Sequence, residues 1–142
     1  SDYVIVLVGL SKQQIKKLPN NIIGLSRTKD VNELVEFYSA ADVLFNASIE
    51  ETFGLPTVEA MACGTPAVVY NCTALPEVVS EDSGRIVEAN NIEQVWKAIQ
   101  EMCSTPLIKE KIVDNAKRYE KDFQYQKYLD LYKRIVNKEC GK

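Results

Sequence analysis

Five short apolar runs, Tyr3 to Val8, Asn21 to Leu25, Asp42 to Asn46, Pro66 to Tyr70 and Gly84 to Glu88, alternate with stretches of helical period. Each is of strand length and most are rich in β-branched residues. Strands separated by helices cannot be joined as hairpins, so they must run parallel with helical, right-handed crossovers. The alternation predicts an α/β, Rossmann-like parallel sheet with flanking helices. The unbroken run from Tyr3 to Val8 further predicts a strand buried on both faces.

The intervals carry their own punctuation. Ser11 with Gln14, and Asp30 with Glu33, form the capping-box pattern at helix starts. Ile15 and Leu18 give the first helix an apolar face before Pro19, and Val31, Leu34, Val35 and Tyr38 form a stripe at i, i+3, i+4 and i+7. Leu75 to Val79 reads as a short helical or turn segment, and Asn91 as the cap of a helix whose Ile92, Val95, Trp96, Ile99 and Cys103 form one face. Residues 106–142 read as a helical tail on a single domain spanning 1–142, with Ile108, Ile112, Ala116 and Tyr119 on one helix and Tyr125, Tyr128, Leu129, Tyr132 and Val136 on the last. At helical spacing the tyrosines predict a packing face, of the half-wet kind that meets a second domain.

Composition excludes several chemistries. The chain has no histidine, which removes Ser-His-Asp and Cys-His systems, and Cys63, Cys72, Cys103 and Cys140 lie too far apart for a zinc pattern, so they read as reduced core or surface residues. A net charge of −3 gives no field that attracts nucleic acid. No apolar run approaches the roughly 20 residues of a membrane-spanning helix, and no signal pattern opens the chain; a cytoplasmic protein is expected.

In an open parallel sheet, ligands bind beyond the carboxyl ends of the strands. The loops there are Gly9 to Lys12, Ser26 to Lys29, Ala47 to Leu55 and Asn71 to Thr73, and the third is the longest. It leads into Glu51-Thr52-Phe53-Gly54-Leu55-Pro56-Thr57-Val58-Glu59, with Pro56 where a helix would begin and Gly64 where it would end. A helix starting at Pro56 would aim the free N–H groups of Thr57 and Val58 into the crevice, a ready site for phosphate or diphosphate. Glu59 beside a diphosphate needs neutral donors, and sugar or ribose hydroxyls are such donors. Without a ligand, Glu59 would still be stabilised by the helix dipole, and Glu50 reads as a solvated loop residue.

The run from Glu51 to Pro66, with Ala40-Ala41-Asp42-Val43 before it and Leu75-Pro76-Glu77-Val78-Val79 after it, closely resembles the donor-binding, C-terminal half of retaining glycosyltransferases of family 4, which have the two-domain GT-B fold. Their hallmark is two glutamates separated by seven residues within Glu-Gly-Phe-Gly-Leu-Pro-x-x-Glu-Ala-Met-Ala-x-Gly-x-Pro; this chain departs from it at Thr52, where glycine is usual. The resemblance implies that Glu59 binds the ribose hydroxyls of a UDP-, GDP- or ADP-sugar and that Glu51, the catalytic candidate, contacts the transferred sugar. Thr52, Phe53, Gly54 and Leu55, with Thr57 and Val58, would hold sugar and diphosphate, and Ser26, Arg27 and Thr28 would border the base. Ser26 also departs from the family, which often has glycine there.

The resemblance implies hexosyl transfer to a glycan or lipid-type acceptor, with retention, no metal and no cofactor beyond the nucleotide-sugar. It also implies a missing amino-terminal domain that supplies the acceptor site, and a missing first β-α unit with a Gly-Arg stretch and a Lys. The chain is therefore expected to be a fragment, inactive alone, from a protein with room for peripheral association at the inner face of a membrane. Two alternatives remain open: a nucleotide-sugar epimerase or phosphorylase-type GT-B domain, and a non-catalytic α/β binding module whose glutamates are structural. The length of the 51–66 run speaks against the former.

Overall fold

A computed structural model of the chain describes residues 3–139. Cys140 and the end of the expected tail lie outside the described residues. The chain divides into two compact units, with the boundary between Phe37 and Tyr38.

The first unit is built on two parallel strands, β1 (Ile5–Val8) and β2 (Ile22–Leu25), paired from Ile5 opposite Ile22 to Val8 opposite Leu25. Between them lies α1 (Lys12–Ile15), whose capping box is formed in full: the Ser11 hydroxyl accepts from the Gln14 N–H, and the Gln14 side chain accepts from the Ser11 N–H. A Cβ at Gly24 would collide with Leu18, so glycine on β2 is what lets Leu18 and Ile15 seat against the strand. The unit boundary falls within α2 (Val31–Ala40). At its start Glu33 N–H donates to Asp30, while the Glu33 carboxylate accepts from Lys29 rather than from Asp30, a capping box displaced by one residue.

One expectation fails in this unit. β1 is not buried on both faces: Ile5 to Val8 are 37–46% exposed. An apolar run reports that a strand can be covered, but covering takes layers of packed side chains, and α1 lies against β2 rather than β1.

The second unit holds a three-stranded parallel sheet in the order β3-β4-β5, with β3 at Leu44–Asn46, β4 at Ala67–Tyr70 and β5 at Gly84–Val87. The parallel sheet flanked by helices that the alternation predicts is thus present in each unit, two strands in the first and three in the second. Around β3-β4-β5 stand α3 (Leu55–Ala62), α4 (Leu75–Val78), α5 (Ile92–Ser104), α6 (Lys109–Lys117) and α7 (Lys121–Glu139).

The central strand β4 is buried on both sides and divides its residues by the period of two. Val68 and Tyr70 pack with Val95, Ala98 and Met102 of α5, whereas Ala67 and Val69 pack with Leu75 and Val79. A third cluster, Met61, Val78, Ile112 and Ala116, joins α3, α4 and α6. Asn115 is buried between these elements, and its amide donates to the Val78 carbonyl at 2.8 Å and the Ser83 hydroxyl at 3.0 Å. Asn115 thereby ties α6 to the segment between α4 and β5, at the amino-terminal edge of the sheet. α5 begins as expected, with the Asn91 side chain accepting from the Gln94 N–H.

The tyrosine stripe of α7 does not pack in this chain: Tyr125, Tyr128 and Tyr132 are 55–62% exposed. Among the described residues no helix is long and apolar enough to cross a membrane.

Candidate functional site

The loop of residues 47–54 leaves β3 at Asn46, and Asn46 sets its first turn. Its side-chain oxygen accepts from the Ser48 N–H at 3.0 Å, and its amide donates to the Thr57 hydroxyl at 3.1 Å. The loop ends at Gly54, which caps α3 in the left-handed conformation (φ +88°). Glycine is required there twice over, since a Cβ would also lie 2.8 Å from Leu75 Cδ2. Phe53 packs edge-on against the Tyr119 ring at 5.4 Å between centroids, and the Tyr119 hydroxyl is anchored on the Glu77 carbonyl at 2.8 Å.

The helix starts at Leu55, one residue before the position expected from Pro56, and this changes which donors are free. The N–H groups of Thr57 and Val58 both donate to the Gly54 carbonyl, at 2.9 and 3.2 Å. Thr57 is moreover fully buried, and Val58 packs against the core cluster that contains Met61 and Ile112. Neither residue presents the N–H that the sequence suggests; both serve the scaffold. At the helix start itself, the N–H groups without an acceptor among the described residues are instead those of Phe53, Gly54 and Leu55. They belong to the loop tip and the first helical residue, where orphan N–H groups and the positive end of the helix dipole coincide.

Glu51 is half-buried on the loop, with its N–H donating to the Thr73 hydroxyl at 3.0 Å and its carboxylate accepting from the Thr52 N–H at 3.0 Å. Glu59 lies on α3 and is exposed, and it accepts a hydrogen bond from the Tyr38 hydroxyl at 3.1 Å. The Tyr38 phenol is held well above the usual tyrosine range, first by burial and then by the negative charge and hydrogen bond of Glu59. It therefore stays a neutral donor and fixes one carboxylate oxygen of Glu59. The Thr65 hydroxyl in turn donates to the Tyr38 carbonyl.

Glu51, Thr52, Phe53, Gly54, Leu55 and Glu59 thus fall on one loop and one helix of the second unit, while Ser26, Arg27 and Thr28 lie between β2 and α2 in the first. Sequence reasoning placed Tyr38 only on an apolar stripe and passed over Thr73, Leu75 and Tyr119 as site residues. The signal for Tyr38 was a hydroxyl on an otherwise aliphatic face; that for Thr73 was its place on the strand-end loop of residues 71–73. A cavity of about 170 Å³ lies at the far end of α3, lined by Cys63, Gly64, Thr65, Cys103 and Lys109 among others, and contains neither glutamate. The candidate site at the loop and the start of α3 is thus separate from that cavity.

A parallel α/β scaffold that delivers a loop from a strand end to a helix start is a Rossmann-like domain. The chain belongs to the family described as glycosyl transferases group 1, which matches residues 1–119. It is 28% identical over 140 residues to a D-inositol 3-phosphate glycosyltransferase of Actinosynnema mirum, an alignment covering 89% of this chain and 34% of the relative. In structure it is similar to sucrose-phosphate synthase from Thermosynechococcus elongatus (TM-score 0.76, 24% identity, 93% of this chain and 38% of the other). It is also similar to Anabaena HepE in complex with UDP-glucose (TM-score 0.62, 25% identity, 80% of this chain and 34% of the other). The chain thus spans about a third of the length of these proteins.

Proposed function

We propose that this chain is the donor-binding domain of a retaining, metal-independent glycosyltransferase that moves a hexosyl unit from a nucleotide-diphospho-sugar to a glycan or lipid-type acceptor. The observation that carries the reading is the set of three N–H groups, on Phe53, Gly54 and Leu55, that have no acceptor among the described residues and lie between two glutamates at the start of α3. Such a start attracts a diphosphate. Glu59, oriented by Tyr38, accepts from the ribose hydroxyls, and Glu51 accepts from hydroxyls of the sugar. The similarity to a protein crystallised with UDP-glucose supports a nucleotide-sugar as the ligand class.

The chemistry follows from where charge develops. As the carbon–oxygen bond to the nucleoside diphosphate breaks, negative charge builds on the leaving oxygen, and fixed N–H donors with the α3 dipole stabilise it without reorganising. The sugar becomes oxocarbenium-like, and a nearby carboxylate on Glu51 offsets that positive charge. The acceptor and any contact with a membrane surface belong to the remainder of the full-length protein, which works on the cytoplasmic side. By itself the chain is expected to bind donor weakly without transferring sugar; near-enzyme turnover by the isolated chain would refute that part.

Calorimetric titration with UDP, GDP and ADP tests the binding claim. Saturable binding of one of the three, lost in Glu59→Ala, is the expected outcome. No saturable binding to any nucleotide in either the chain or the full-length protein would contradict it.

A further inference from the structure

Only two non-glycine residues among those described have positive φ, Asn90 at 62° and Thr73 at 47°. Asparagine visits the left-handed region readily, whereas a β-branched residue there is a true outlier that the surrounding structure must hold in place. Thr73 lies on the short loop between β4 and α4, and its neighbours are tied down. Asn71 N–H donates to the Val87 carbonyl at 2.7 Å, Cys72 N–H to the Tyr70 carbonyl at 2.8 Å, and Leu75 N–H to the Cys72 carbonyl at 3.2 Å. The loop rises from the fully buried β4, so its frame is rigid.

What the unusual backbone accomplishes is an interaction across the site. The Thr73 hydroxyl accepts the Glu51 N–H at 3.0 Å, and two residues further on Leu75 closes against Gly54. The loop bearing Glu51 is therefore clamped at two points by the β4–α4 segment. The Glu51 carboxylate is folded back onto the Thr52 N–H of the same loop, so the direction in which it faces depends on where the loop backbone is held.

We infer that Thr73 is a positioning residue for Glu51: a left-handed threonine is kept because its hydroxyl fixes the Glu51 backbone, and with it the carboxylate, against the donor sugar. The inference rests on the proposed role of Glu51. It separates stability from activity, since glycine at residue 73 adopts φ +47° freely but cannot accept from Glu51.

The test is steady-state kinetics of the full-length enzyme with its nucleotide-sugar donor, alongside melting curves, for Thr73→Gly, Thr73→Ser and Glu51→Gln. Thr73→Gly is expected to melt at or above the wild-type temperature while kcat falls roughly three- to tenfold, the value of one neutral hydrogen bond, with donor KM changed less than about twofold. Thr73→Ser, which keeps the acceptor, is expected to restore kcat to within about twofold. Wild-type kcat in Thr73→Gly, or a kcat loss that Thr73→Ser shares, would overturn the positioning role, as would a parallel fall in kcat and melting temperature. Glu51→Gln distinguishes the levels. If it retains wild-type kcat, the role of Glu51 itself fails and the inference with it; if it is impaired while Thr73→Gly is not, only the inference about Thr73 fails.

Discussion

Replacing Tyr38 by phenylalanine removes one oxygen and little else, which makes it a sharp probe of Glu59. The ring keeps its half-buried packing, so global stability near neutral pH should fall by no more than the lost hydrogen bond contributes. The hydrogen bond lost is to a carboxylate, a class worth about 1.5–3 kcal/mol, but Glu59 is exposed and its share falls below that, to about 1–1.5 kcal/mol. If Tyr38 holds Glu59 for ribose, nucleotide affinity in Tyr38→Phe should drop roughly five- to tenfold. A second readout comes from pH. Tyr38 ionises at a higher pH in the folded chain than in the unfolded one, where the ordinary value is about 10. Above pH 10 the unfolded state loses a proton that the folded state retains, so the stability contribution is complete below pH 10 and is lost progressively as pH rises further. Wild type should therefore show a steeper alkaline decline in urea midpoint than Tyr38→Phe. Unchanged nucleotide affinity in the variant, or superimposable alkaline profiles, would refute the coupling between the two residues.

Other substitutions probe the scaffold. Gly54→Ala combines a left-handed backbone with a Cβ 2.8 Å from Leu75, and the two effects should destabilise the chain by about 2–4 kcal/mol in urea unfolding; a change under about 1 kcal/mol would show that α3 can restart elsewhere. Asn115→Leu removes donors to the Val78 carbonyl and the Ser83 hydroxyl and leaves a buried carbonyl unpaired, for an expected loss of about 2–4 kcal/mol by the same assay. Tyr119→Ala frees Phe53 and should weaken nucleotide binding while Glu59 stays held by Tyr38, which amide shifts of Phe53 and Glu59 would report separately.

What could be read from the sequence was local. The strands announced themselves through β-branched runs, and the caps at Ser11 and Asn91 through residues three positions apart, the reach of a side chain along its own helix turn. The glutamate loop was legible because a long motif carried it. The partners that aim its side chains were not: Tyr38 and Glu59 are separated by 21 positions, and Glu51 and Thr73 by 22, distances that only the fold closes. Thr57 and Val58 were misread because a single residue's difference in the helix start lets the Gly54 carbonyl capture both N–H groups. The exposure of β1 escaped for a similar reason: an apolar run states what a strand can bury against, not what covers it.

The most direct measurement is residue-resolved amide shift perturbation on titrating the chain with UDP, GDP and ADP. The expected result is that one nucleotide shifts Phe53, Gly54 and Leu55, whose N–H groups have no acceptor among the described residues, and that Thr57 and Val58, already bonded to Gly54, move less. Shifts confined to the cavity around Gly64 and Lys109, or none anywhere at saturating nucleotide, would contradict a donor site at the start of α3.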